Sequence, residues 1–184
     1  MLSTPVRVMV RPFRTYAALR TEPAVAFAPV LRLLLVIGAT VALTATARLA
    51  PFELVSAMVS FAWIPAAQAA GLRLALLAFA RTVTFRRGYA LYAQSLGPML
   101  LLFLGLSALA AFDIETRRPF QLVLMPGILL ATVWSTFLTA VMFRVALALS
   151  WARAVGGALV QLVGMYVVIL GYFFAAGQLW PIVR

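Results

Sequence analysis

Residues 155–179 read VGGALVQLVGMYVVILGYFFAAGQL, and not one of them is charged. At 1.5 Å per residue a helix of that length is about 37 Å long, longer than the roughly 30 Å hydrocarbon core of a bilayer. A helix in water keeps a polar face; one in lipid has no use for it. This stretch therefore reads as a membrane span, and the rest of the chain repeats the pattern. Residues 26–47, AFAPVLRLLLVIGATVALTATA, carry one charge, Arg32. A further run covers 53–80, where Pro65 should kink the helix. Another ends near Phe112 and must start near Leu91, because residues 98–112 alone give only about 22 Å. The last covers 122–146, with Pro126-Gly127 near its start. The expected fold is an all-α integral membrane protein: a bundle of five transmembrane helices over 25–184, behind a basic amphipathic N-terminal segment, 1–24.

Composition agrees. The 184 residues are 65% hydrophobic, with a mean hydropathy of +1.08, well above a soluble domain. Five spans and short loops use nearly the whole length. The formal charge of +11 does not point to nucleic acid, because the basic residues stand at the ends of apolar runs rather than on one polar face. Every one of the fifteen basic residues is Arg, and the only carboxylates are Glu22, Glu53, Asp113 and Glu115. With no Cys and no His, disulfides, thiolate chemistry, imidazole ligation of a metal or haem, and the usual general base are all out of reach. No catalytic and no metal-binding residues are assigned, and the chain is expected not to be an enzyme. A cleaved leader is not expected, since Arg7, Arg11, Arg14 and Arg20 make the basic stretch before the first apolar run too long.

The Arg distribution orients the bundle. With the N-terminus in the cytoplasm, Arg7, Arg11, Arg14, Arg20, Arg81, Arg86, Arg87, Arg144 and Arg153 fall inside. Arg48, Arg117, Arg118 and Arg184 fall outside, with Glu53, Asp113 and Glu115. An odd number of spans puts the C-terminus in the periplasm. In the N-terminal segment, Ser3-Thr4-Pro5 reads as a helix start, and Pro12 opens a second short helix through Leu19 whose apolar residues are Phe13, Tyr16, Ala17 and Leu19. This segment is expected to lie on the inner membrane surface.

Four features are candidates for function. Arg32, Arg73 and Arg144 lie within apolar runs near their inner ends; as a ring they would hold anionic headgroups such as those of cardiolipin, and separately they would only snorkel. Gly157, Gly164 and Gly171 recur every seven residues, and Gly38, Ala42 and Thr46 every four; such small-residue faces admit a second helix, from this bundle or a partner. Trp151 and Trp180 suit the two interfacial belts. Trp63 and Trp134 sit mid-span and are candidates for an apolar pocket that takes lipid, quinone or carotenoid. The polar loop DIETRR at 113–118 reads as an ion-pair network or docking site.

The layout resembles the Yip family, five-span proteins named for interaction with Ypt/Rab GTPases. The likeness rests on Arg11-Pro12-Phe13-Arg14-Thr15-Tyr16 through Glu22-Pro23 ahead of the first span, on Phe85-Arg86-Arg87-Gly88-Tyr89 through Gly97-Pro98, and on Trp134 followed by Leu147-Ala148-Leu149-Ser150 and Arg153-Ala154. The eukaryotic branch's Asp-Leu-Tyr-Gly-Pro motif is absent, so the resemblance implies the fold and a non-enzymatic role. The Arg-only, Ala-rich composition implies a bacterial inner membrane. The expected function is a non-catalytic scaffold or accessory subunit of a membrane complex, in contact with anionic lipids and other integral membrane proteins. A photosynthetic or respiratory complex is one version of it. A small transporter or lipid-handling protein is the rival, for which Gln68, Gln94, Gln161 and Gln178 supply the only amides within the spans.

Overall fold

Backbone groups that lipid cannot satisfy must bond within their own segment, and every regular element among the described residues is a helix. The computed structural model describes residues 4–21, 27–46, 49–111 and 117–179, with side chains described for 4–21, 28–44, 49–109 and 125–175. In order the helices are α1 (Thr4–Val10), α2 (Pro12–Leu19), α3 (Phe27–Thr46), α4 (Pro51–Ser60), α5 (Trp63–Phe79), α6 (Phe85–Tyr92), α7 (Gly97–Ala111), α8 (Arg117–Val141) and α9 (Trp151–Leu179). Four stretches are long and apolar enough to cross a membrane: Pro51–Phe79, Phe85–Leu109, Met125–Ala146 and Trp151–Ala175. Ala28–Thr44 of α3 is a shorter apolar helix. The protein is thus a multi-pass helical membrane protein. Residues 113–116 and Trp180, and the side chains of Thr46, Arg117, Arg118 and Gln178, lie outside what is described.

Each break has a local cause. Pro65 has no N–H to return to the carbonyl of Phe61, and the chain bends there: Phe61-Ala62 separate α4 from α5, with Ile64 N–H donating to Phe61 O instead at 3.1 Å. Pro98 likewise has no N–H to donate into the helix, and a 3-10 turn, Ala93–Leu96, joins α6 to α7. The third stretch starts at Phe85 rather than at the expected Leu91, so its first two turns, FRRGYALY, bring Arg86 and Arg87 onto the helix itself. The end of α8 widens into a π-helical turn, Met142–Ala146, and stops at Ala148, whose φ is 55°.

Packing follows chain order only in part. α3 lies against α4 and α7, α7 against α8, and α8 against α9, but the most extensive contact joins α5 to α9. There, Gly71 and Gly164 let two backbones meet. A Cβ on Gly71 would strike the carbonyl oxygen of Gln161 and come within 2.7 Å of Met165 N. One on Gly164 would stand 3.1 Å from the Gly71 Cα. Buried polar groups link other pairs. Thr40 Oγ1 of α3 is 2.6 Å from Ser107 Oγ of α7, Gln161 Nε2 of α9 donates to the Tyr92 hydroxyl of α6 at 3.1 Å, and Ser95 Oγ is 3.4 Å from Thr139 Oγ1 of α8. Such bonds and close approaches hold helices together where water cannot drive them together.

Candidate functional site at the basic end of the bundle

The short N-terminal helices are built into the protein. Val8 and Tyr16 are fully buried and Leu19 nearly so, within the same core as Leu72, Leu91, Leu138, Met142 and Phe143. α1 lies against the 3-10 turn and α7, and α2 against the π-helical turn and α8. The Thr15 hydroxyl bridges the join of the two helices, 2.8 Å from the carbonyl of Arg11 and 3.1 Å from that of Arg7. α2 occupies the range expected from Pro12, yet two of its apolar residues, Tyr16 and Leu19, meet the protein's own helices. Burial pushes the Tyr16 phenol far above the ordinary tyrosine range. Tyr92 adds to the rise and the Ser95 hydroxyl nearby opposes it; that hydroxyl donates to the Tyr92 carbonyl at 2.7 Å.

This arrangement collects basic side chains at one end. Arg7, Arg11, Arg14 and Arg20 of the N-terminal helices are all exposed. Arg87 at the start of α6 donates through Nη2 to the carbonyl of Arg20. Phe13 meets Trp151, at the start of α9, edge to face at 6.1 Å. The segments assigned to the inner side by the Arg census, namely the N-terminal helices, the start of α6 and the join between α8 and α9, therefore touch one another.

Two concavities open there. One, of about 530 Å³, lies at the elbow of α1 and α2 and is lined by Arg7, Val10, Arg11, Arg14, Thr15 and Ala18. The other, of about 400 Å³, is lined by Phe13, Arg20, Arg144, Val145, Ala148 and Trp151. Arg144 is fixed in the second: its Nη1 donates to the Leu149 carbonyl at 3.0 Å, and its guanidinium stands 6.0 Å from the Trp151 ring centroid. Glu53 is the only described carboxylate, and it is engaged elsewhere, accepting from the Ala50 N–H at 3.3 Å at the start of α4.

The three residues of the expected ring have these surroundings. Arg144 shares its cleft with Arg20, whereas Arg73 lies over the Phe85 ring at 5.9 Å and Arg32 is exposed on α3. The three glycines of the α9 face differ in their neighbours. Gly157 fits against the Phe143 ring and Gly164 against Gly71, but a Cβ on Gly171 would meet nothing within 4 Å. Gly38 does pack closely, with Met58 Cγ 2.8 Å from its would-be Cβ, and Ala42 is buried beside it on α3. Of the two mid-span tryptophans, Trp63 stacks on Tyr172 at 5.1 Å, and Trp134 is exposed on α8. Trp151 is half exposed at the basic end.

Sequence reading missed Gly71, because a lone glycine in LRLALLAF-type sequence carries no period. It also missed the pairing of Arg20 with Arg144, whose positions are far apart in the chain. No protein-family profile, curated protein or solved structure matches this chain.

Proposed function

We propose that this protein is a non-catalytic scaffold or accessory subunit in a bacterial inner membrane, with five spans, its N-terminus in the cytoplasm and a Yip-like layout. The observation that carries the reading is the use made of its polar residues. Thr40, Ser107, Tyr92, Gln161, Ser95 and Thr139 make contacts from helix to helix inside the bundle, as structural groups do. Arg7, Arg11, Arg14, Arg20, Arg87 and Arg144 gather at one end, where anionic lipid is met. α3 supplies the fifth span: its 20 residues make about 30 Å of helix, enough for a bilayer core. Exposed apolar side chains along α9, among them Leu159, Val163, Val167, Leu170 and Phe174, give lipid or a partner's helix a surface to pack on.

The test is purification from the native membrane in mild detergent, through a tag at the N-terminus, with mass spectrometry of what accompanies it. Stoichiometric recovery of other integral membrane proteins is the expected result. Recovery of this chain alone with lipid would sink the scaffold reading. The absence of native cysteine makes orientation easy to read: a thiol introduced by Ser150→Cys should react with a membrane-impermeant reagent only after the cytoplasmic side is opened.

A further inference from the structure

We infer that the cleft between α2 and the join of α8 to α9 is a binding site for the phosphodiester headgroup of an anionic phospholipid, held by Arg20 and Arg144. The inference rests on the proposal that this end of the bundle faces the inner leaflet. Four observations converge on it. Two guanidinium groups line one open cleft of about 400 Å³, and no described carboxylate lies among its lining residues. Arg144 is oriented in advance by the Leu149 carbonyl and the Trp151 ring; this uses one of its five N–H donors and leaves a planar fork of the kind that grips phosphate oxygens.

The walls are mixed in the way a lipid requires. Phe13, Val145 and Trp151 offer apolar surface beside the two charges, which suits a glycerol backbone and the first acyl carbons better than a free phosphate ion. Trp is also the residue favoured at headgroup depth. Finally, the cleft is built on unusual backbone. The π-helical turn Met142–Ala146 turns Arg144 out of the α-helical register, and Ala148 in the cleft wall sits at φ 55°, a conformation that costs a non-glycine residue about 1–2 kcal/mol. π-turns and such outliers concentrate at functional sites. The start of α9 at Trp151 adds the positive end of a long helix dipole to the same place.

The experiment uses the full chain in detergent, where orientation plays no part, so a wrong topology or a lone protein in the pull-down would leave its result standing. Retention of added phosphatidylglycerol and of phosphatidylcholine is measured by native mass spectrometry for the wild type, Arg20→Gln, Arg144→Gln and the control Arg81→Gln, and repeated with millimolar inorganic phosphate. The wild type and R81Q should retain phosphatidylglycerol over phosphatidylcholine. R20Q and R144Q should each weaken that retention about tenfold. R20Q is the decisive variant, because Arg20 is exposed and its hydrogen bonds are made by its backbone N–H and carbonyl, which the substitution keeps, so its folding is not at stake. Displacement of the lipid by inorganic phosphate would keep the two-Arg site and name free phosphate as its ligand. Equal retention by R20Q and wild type, or an equal loss in R81Q, would overturn the site.

Discussion

At the scale of single residues, Ala148 is where the chain departs furthest from local preference. It ends the π-helical turn in the left-handed region, and the widened turn is closed by Leu147 N–H to Met142 O and Leu149 N–H to Phe143 O, both 3.2 Å. Glycine is the residue such an end ordinarily takes. Ala148→Gly should therefore stabilise the protein by up to about 1 kcal/mol, raising a thermal midpoint in detergent by about 2–4 °C. A lower midpoint would mean that Ala148 is not held in that conformation. Pro65 and Pro98 teach the complementary lesson. Pro65 was visible in the sequence as a kink and is met by an open turn at Phe61-Ala62, whereas the span from Leu91 was read straight through Pro98, where the structure has a 3-10 turn at Ala93–Leu96.

Helix pairing depends on backbone approach rather than on hydropathy. α5 and α9 touch through Gly71 and Gly164, where an added methyl meets backbone atoms that cannot rotate aside. Gly71→Ala must part the two helices, and a loss of about 1–3 kcal/mol is expected. Gly171→Ala stands in open space and should lie within about 1 kcal/mol of wild type, on the favourable side given the helix propensity of alanine. Thermal unfolding of the two variants side by side checks the assignment; equal effects would show that the α5–α9 crossing is not at Gly71. Sequence spacing alone gives Gly164 and Gly171 the same standing, since both fall on one seven-residue register. Only the crossing point of the helices separates them.

For the whole molecule, the N-terminal helices decide what kind of object this is. A helix resting on a membrane surface can be removed without disturbing the bundle. Here Val8, Tyr16 and Leu19 fill the core beside Leu91, Met142 and Phe143, at about 1.5–3 kcal/mol for each side chain so buried. Deletion of residues 1–21 should then lower stability by several kcal/mol and loosen the basic end, seen as a lower midpoint and faster proteolysis at the join of α8 and α9. An unchanged midpoint would return these helices to the membrane surface. The deletion also removes Arg20 from its cleft, so lipid retention should fall along with stability.

Composition and the lengths of the apolar runs, by themselves, determined that this protein is helical, that it belongs in a membrane, and roughly where its helices begin and bend. Those are properties of successive residues, and the length of a bilayer is matched by counting along the chain. The tertiary structure decided which faces meet: that Arg144 shares a cleft with Arg20, that Trp63 stacks on Tyr172, and that Tyr16 and Leu19 turn into the bundle. A helix apolar on nearly every side leaves its rotation about its own axis open in the sequence. That rotation is settled only when a glycine, a hydroxyl or a ring finds its counterpart on a neighbouring helix.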